Sequence, residues 1–183
     1  MIMTSISTRR ASALVPTMIA PPRRRGVYAL ILNAQEHVAL LRMSKGVHLP
    51  DQGEWGLPGG VVEADERWRD AWQRLVLARL GLDLEPGRLL VVDEVPSSGV
   101  PGLQRHVAEA DLRVYSPAVK LPDLGEGAKL GRGVAELRFV PRGDLADFLS
   151  PTNRTRTLAA VGAASVFRPA ELFDGRHVDE VAG

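Results

Sequence analysis

The sequence predicts an α/β (α+β) fold in which helices pack on a mixed sheet. Three observations point there. Apolar runs follow the order strand, strand, helix, three strands, helix, helix. The 183 residues, 45% apolar and 25% charged, suit one soluble globular domain with a substantial core. Neither an internal repeat nor an apolar run long enough for a transmembrane helix breaks that order, so no membrane partner is expected.

Gly26 to Asn33 is a nearly continuous apolar run and reads as a buried strand. Ala34-Gln35-Glu36 is a turn and His37 to Met43 a second strand, so the two predict a hairpin. Ser44 to Glu54, with Gly46, Pro50 and Gly53, is a polar loop of the kind that sits over a site. Glu66 to Leu80 predicts a helix, N-capped by Asp65 or its polar neighbours and ended by Gly81 at the C′ position. Arg88 to Val95 and His106 to Tyr115 follow as strands, joined by the turn-rich Pro96 to Gly102. Residues 116–133, with two prolines and four glycines, read as a long loop before a strand from Ala135 to Val140. Asp144 to Leu149 is a short helix. Ser150 then caps a helix opened by Pro151, with Leu158, Ala159, Val161 and Ala164 on its apolar side. Asp174-Gly175 signals a closing hairpin turn. The chain thus divides into a flexible basic tail (1–25), a folded domain (26–165) and a C-terminal extension (166–183).

The tail concentrates charge. Residues 1–25 hold five arginines and no acid, and the rest carries 18 basic and 22 acidic residues, although the whole sums to +1. Such an arm can touch phosphate, but it reads more simply as a solvated leader, and no nucleic-acid partner is expected. Arg9-Arg10 precedes a stretch too short and too weakly apolar, broken by Pro16, to direct export. The chain has no cysteine, which excludes a disulfide framework, a thiol nucleophile and a thiolate metal site, and agrees with a cytoplasmic location. Twenty arginines against three lysines point to a GC-rich, bacterial genome.

The densest signal spans Trp55 to Leu82. Trp55-Gly56-Leu57-Pro58-Gly59-Gly60-Val61-Val62-Glu63 leads into a frame of Gly60, five residues, Glu66, seven residues, Arg74, six residues, Gly81 and Leu82. The frame resembles the box of the Nudix hydrolase superfamily, Gly-x5-Glu-x7-Arg-Glu-U-x-Glu-Glu-x-Gly-U, with U apolar. That resemblance implies a Nudix-like α/β/α sandwich over about residues 26–165. In the family, the glycines let backbone approach phosphate. The helix carboxylates hold Mg2+ or Mn2+, which neutralise a diphosphate and activate water.

The three glutamates after the arginine fall here on Leu75, Ala78 and Arg79, so the box is degenerate. In a helix these positions share one face. Leucine and alanine offer no oxygen to magnesium. A cation about 4 Å from a unit positive charge costs ~4 kcal/mol at an effective dielectric near 20, and a divalent ion doubles it. Glu63, Glu66 and Arg74 still match the family and are the candidate catalytic residues. Glu63, Glu66 and Asp70, with Asp65 beside them, could hold a relocated metal. The plainer reading makes Glu66–Arg74 a bracing ion pair and Asp65 and Asp70 helix-dipole charges. Arg79 could bind phosphate in a metal's stead or simply face solvent at the helix end. Arg42, Trp55, Gly59 and Gly60 complete the candidate substrate contacts. A further carboxylate outside the box is left open among Glu109, Asp111, Asp123 and Glu126, with His48 and His106 unassigned. The apolar excess of the helix, from Trp68 to Leu80, suggests a pocket wall or a homodimer contact.

Three functions compete. One is a divergent Nudix-type hydrolase acting on a small diphosphate-linked, nucleotide-like molecule with a reduced or relocated metal site. Another is a Nudix-fold enzyme with changed, metal-independent chemistry in small-molecule, specialised metabolism. The third is a non-catalytic ligand-binding module. The enzyme reading is favoured over the module. A transcription regulator is disfavoured, since no helix-turn-helix pattern follows residue 165.

Overall fold

The computed structural model describes residues 24–44, 54–96, 110–117 and 130–178. Nine strands and two α-helices are assigned there: β1 (Arg24–Ala29), β2 (Val38–Met43), β3 (Trp55–Gly56), β4 (Gly59–Val61), α1 (Trp68–Leu80), β5 (Pro86–Val95), β6 (Ala110–Pro117), β7 (Val134–Val140), α2 (Pro151–Val166), β8 (Ala170–Phe173) and β9 (Arg176–His177). A 3-10 helix, Arg142–Asp147, takes the place of the short α-helix expected there. The strands form a six-stranded sheet, β4-β1-β6-β5-β8-β9, and a three-stranded one, β3-β2-β7. The larger sheet is mixed, since β1–β6 and β5–β8 run parallel and its other pairs antiparallel. The α+β class with a mixed sheet is therefore as the sequence predicts.

The first hairpin is a correction. Only its tip closes, through an isolated bridge between Leu32 and Val38 and the Ala39 N–H donating to the Ile31 carbonyl at 2.9 Å. Asn33 shapes the turn, its Oδ1 accepting from the Gln35 and His37 amides at 3.1 and 2.8 Å. Beyond it the strands part. β1 is paired on both edges, by β4 and β6, so β2 joins β3 and β7 in the other sheet. Arg24 and Arg25, read as tail, belong to β1.

Two cores result. Beside α1, Val27, Ala29, Ile31, Leu41 and Tyr115 pack with Ala71, Trp72, Leu75, Val76 and Leu80. Beside α2, Leu40, Leu90, Val91, Val114 and Leu145 pack with Ala160, Val161 and Ala163. Each fully buried Leu or Val contributes roughly 1.5–3 kcal/mol by leaving water. The α1 start differs from expectation. Its N-cap is Arg67, without a side-chain cap bond, and Asp65 caps nothing. Its end is as expected: Gly81 lies at φ 67° and donates to the Leu77 carbonyl at 2.9 Å. In α2, Ser150 caps the amide of Asn153 and Pro151 opens the helix, as predicted. The buried stripe runs through Thr157, Ala160, Val161 and Ala163, which turns Leu158 outward. Residues 166–183, read as an extension, supply β8, which pairs with β5 and buries Leu172 in the core. Asp174 and Gly175 both take positive φ (51° and 72°), the conformation of a tight hairpin turn.

Candidate functional site

The turn from β3 to β4 is fixed by backbone. The Ala29 N–H donates to the Pro58 carbonyl at 2.7 Å, and Gly59 faces Tyr28 across the β1–β4 pair. A Cβ on Gly59 would lie 2.2 Å from the Val27 carbonyl oxygen, so no side chain fits. A Cβ on Gly60 would meet only the side chain of Leu75, at 3.2 Å.

Behind this turn, Arg74 reaches back from α1 to Glu66, Nε to Oε1 at 2.6 Å and Nη2 to Oε2 at 2.7 Å. Oε2 also accepts the Glu63 N–H at 3.1 Å, and Arg74 donates to the Val61 carbonyl at 3.3 Å. The hydrogen bonds from Arg74 hold the Glu66 carboxyl below its usual range, and Glu66 in turn raises Arg74. The Glu63 side chain stays 75% exposed, 3.8 Å from Arg74. Asp65 and Asp70 are exposed. Glu63, Glu66 and Arg74 are thus brought together as a brace for the loop, and Asp70 has no hydrogen bond or ion pair with them.

The α1 face at the three box positions is not a uniform wall. Leu75 is buried beneath Gly60, and Ala78 is exposed. Arg79 is half-buried and donates to the Arg132 carbonyl at 3.3 Å, while its Nε is buried without a partner. The segment after residue 130 closes on the helix end, with Gly131 donating to the Arg79 carbonyl at 2.9 Å. A Cβ on Gly131 would come within 1.6 Å of the Ala78 oxygen, so this approach needs glycine.

Between the glycine turn and α2 lies a mainly apolar cavity of about 160 Å³. Tyr28, Trp55, Leu57, Gly59, Gly60 and Arg79 line one part of it; Val91, Asp93, Val114, Asn153, Arg156 and Thr157 line another, and Glu54 adds a carboxylate. Trp55 meets Phe148 edge-on, with centroids 5.5 Å apart. Of the expected substrate contacts, Trp55, Gly59, Gly60 and Arg79 line this cavity, and Arg42 does not. It pairs instead with Glu136 at 2.8 Å, its guanidinium 5.5 Å from the Trp55 ring. His48, His106, Glu109, Asp123 and Glu126 lie outside the described residues.

Sequence reasoning missed Asp93 and Arg156. Asp93 is fully buried, accepts from Arg156, and takes the Gly175 N–H at 3.1 Å. An acid inside the apolar run RLLVVDEV, Asp93 next to Glu94, was the available signal, because alternation along a strand buries one of the two and a buried carboxylate requires a partner.

The donor set fits poorly to the divalent ion that the fold implies. Both Glu66 oxygens are engaged, Leu75 is buried carbon, and Arg79 brings positive charge. Among the described residues, no three acids or histidines gather closely enough to hold a cation.

A family model for the NUDIX domain matches residues 22–160, and the chain belongs to that family. Solved structures carry the same fold. A MutT protein from Methanosarcina mazei is 21% identical, with a TM-score of 0.60 over 80% of this chain and 96% of that one. A MutT Nudix hydrolase from Burkholderia pseudomallei is 24% identical, with a TM-score of 0.56 over 77% and 98%. An ADP-ribose pyrophosphatase from Streptococcus suis is 16% identical, with a TM-score of 0.54 over 83% and 99%. No curated protein matches the sequence. Among the described residues, no helix is long and apolar enough to cross a membrane.

Proposed function

We propose that this chain is a divergent Nudix-type hydrolase for a small diphosphate-linked, nucleotide-like molecule, with its metal site reduced and Arg79 carrying part of the phosphate charge. The observation that supports this reading is the shared cavity of Gly59, Gly60 and Arg79, where backbone and guanidinium can meet phosphate oxygens. The names of the similar structures, which include an ADP-ribose pyrophosphatase, favour the same substrate class. Glu66 and Arg74 are positioning residues that hold the glycine turn. Glu54 lines the cavity with no side-chain partner among the described residues, and we assign it the proton of the attacking water. Water oxygen bonds to phosphorus, the bridging P–O bond breaks, and the leaving phosphate departs with that electron pair. We place this chemistry in the cytoplasm, without a nucleic-acid partner.

The test is a library of nucleotides and nucleotide sugars, assayed for products with Mg2+, with Mn2+ and in EDTA, alongside calorimetric binding. Turnover should fall in EDTA without being lost, since Arg79 carries part of the charge, and Arg79→Ala should weaken diphosphate binding by roughly ten- to a hundredfold, the loss of a charge-assisted hydrogen bond. Turnover abolished by EDTA, or binding indifferent to Arg79→Ala, would sink the arginine reading. The engagement of Glu66 by Arg74 favours a second reading, a non-catalytic ligand-binding module. Ligand-induced thermal stabilisation with no product from any substrate would select it.

A further inference from the structure

The floor of the cavity is a row across the larger sheet. Gly59, Tyr28, Val114 and Val91 are Cα partners in turn, on β4, β1, β6 and β5, and all four line the cavity. Three strand spacings separate the ends of that row, about 14 Å. Gly59 and Gly60 stand at one end, with Arg79 one helical turn along α1 from the Leu75 that underlies Gly60. At the other end Asp93 follows Val91 on the same face of β5, and Arg156 reaches it from α2. A pyrophosphate held at the glycine turn is too short to touch Arg156, so that end is left to the rest of a ligand.

Arg156 is only 15% exposed. Its Nε donates to Asp93, and its Nη1 donates to Asn153 Oδ1 at 3.0 Å. Nη2 has no protein partner among the described residues and is not buried, so it can give a ligand one hydrogen bond. Asn153 Oδ1 and the Thr157 hydroxyl keep lone pairs beside it, the hydroxyl donating to the Asn153 carbonyl at 2.8 Å. This wall therefore offers donors and acceptors alike. The Asp93 carboxylate lies against the guanidinium and offsets its charge. An anion gains less here than at Arg79, which has no acid partner among the described residues.

Asp93 is itself fixed by the hairpin of β8 and β9. It is fully buried and accepts the Gly175 N–H at 3.1 Å. The Asp174 N–H donates to the Glu94 carbonyl at 2.9 Å, which pins the turn to β5. A Cβ on Gly175 would lie 2.4 Å from Thr152 Cγ2, at the start of α2. The turn thus meets both the strand that carries Asp93 and the helix that carries Arg156, without lining the cavity.

Resting on the nucleotide-like reading above, we propose that Arg156 binds the non-phosphate part of the ligand through Nη2, and that Asp93 and the Gly175 turn are positioning residues that aim it. The cavity then has a fixed polarity, with phosphate at the glycine turn and a neutral polar group at α2.

Calorimetry in EDTA with inorganic pyrophosphate and with adenosine, guanosine and uridine diphosphates tests this. At least one nucleotide should bind more tightly than pyrophosphate, because it reaches both ends. Arg156→Met should weaken that nucleotide about tenfold, the loss of one hydrogen bond from a charged donor, and leave pyrophosphate unchanged. Arg79→Ala should weaken both. Because Arg156→Met strands Asp93, the double variant Asp93→Ala/Arg156→Met is titrated beside it and should show the same split. Gly175→Ala, which shifts the turn from outside the cavity, should weaken the nucleotide severalfold and spare pyrophosphate. Nucleotide affinity unchanged in Arg156→Met and the double variant, or equal losses for nucleotide and pyrophosphate, overturns the assignment while sparing the phosphate pocket. Unchanged nucleotide affinity in Gly175→Ala overturns the positioning role of the turn. Binding of neither pyrophosphate nor any nucleotide overturns the functional reading as well.

Discussion

Arg74 grips Glu66 with two parallel hydrogen bonds, Nε to Oε1 at 2.6 Å and Nη2 to Oε2 at 2.7 Å, and so ties the middle of α1 to the loop that precedes it. Both residues sit where the family motif puts them. The geometry makes this pair a strut under the glycine turn, since Arg74 also reaches the Val61 carbonyl in β4.

That strut is sensitive to acid. Arg74 lowers the Glu66 pKa below the ordinary 4.5, so ionised Glu66 favours the folded state. The contribution is complete above about pH 4.5 and is lost as pH falls through the lower folded value. Glu66→Gln should cost about 1 kcal/mol at neutral pH, discounted for the half-exposed arginine. The gap between variant and wild type in urea midpoint should shrink between pH 5 and pH 3. A gap constant over that range would show that the ion pair adds nothing.

Substitution should strain both adjacent glycines, and Gly59 the more. Gly59→Ala drives a Cβ into the backbone of β1, 2.2 Å from the Val27 oxygen, and forces β4 off its partner. Gly60→Ala meets the end of a leucine side chain at 3.2 Å, which can give way. Both glycines hold positive φ (158° and 157°), which alanine adopts only with strain, so we expect Gly60→Ala to lose roughly 1–3 kcal/mol and Gly59→Ala, with the backbone clash added, clearly more, read from thermal unfolding. Comparable losses at both would contradict the backbone clash.

What the sequence disclosed, and what it hid, follows from the range of the interactions. Trp55 to Leu82 was legible because its turn, helix and C′ glycine are set by residues close in sequence. Ser150, Pro151 and the Asp174-Gly175 turn were legible for the same reason. The pairing of β1 was not, since its partners come from β4 and the distant β6, and a strand carries no mark of its neighbour. The wall of the cavity was half legible. Gly59, Gly60 and Arg79 belong to the motif, whereas Asp93 and Arg156 meet across 63 positions of chain. The pairing of Arg42 with Glu136 was hidden, because Glu136 lies on a strand the sequence cannot align with β2.

Restoring the first missing glutamate should harm the fold rather than recover the family's chemistry. Leu75 is 5% exposed and packs in the α1 core beneath Gly60. Leu75→Glu removes buried apolar area and inserts a carboxylate without a partner, a cost of roughly 3 kcal/mol or more. For a chain of this size that lowers Tm by about 6–12 °C. Ala78→Glu, on the exposed side, should change Tm by only about 1–2 °C. Differential scanning calorimetry with and without Mg2+ checks both. Stabilisation of Leu75→Glu by millimolar Mg2+ to the wild-type Tm would mean that the helix face can still accept a metal.

The Asp93–Arg156 pair should show strong coupling. Asp93→Ala leaves a guanidinium only 15% exposed without its counter-charge and orphans the Gly175 amide. Breaking one side of such a pair costs about 3–5 kcal/mol. Removing both charges in Asp93→Ala/Arg156→Met relieves the stranded cation, so the double variant should be no less stable than Asp93→Ala alone. Urea denaturation of the two single variants and the double variant closes the thermodynamic cycle, with an expected coupling of about 2 kcal/mol or more. Additive losses would show that each residue acts separately, with Arg156 merely packing its stem against the cavity wall.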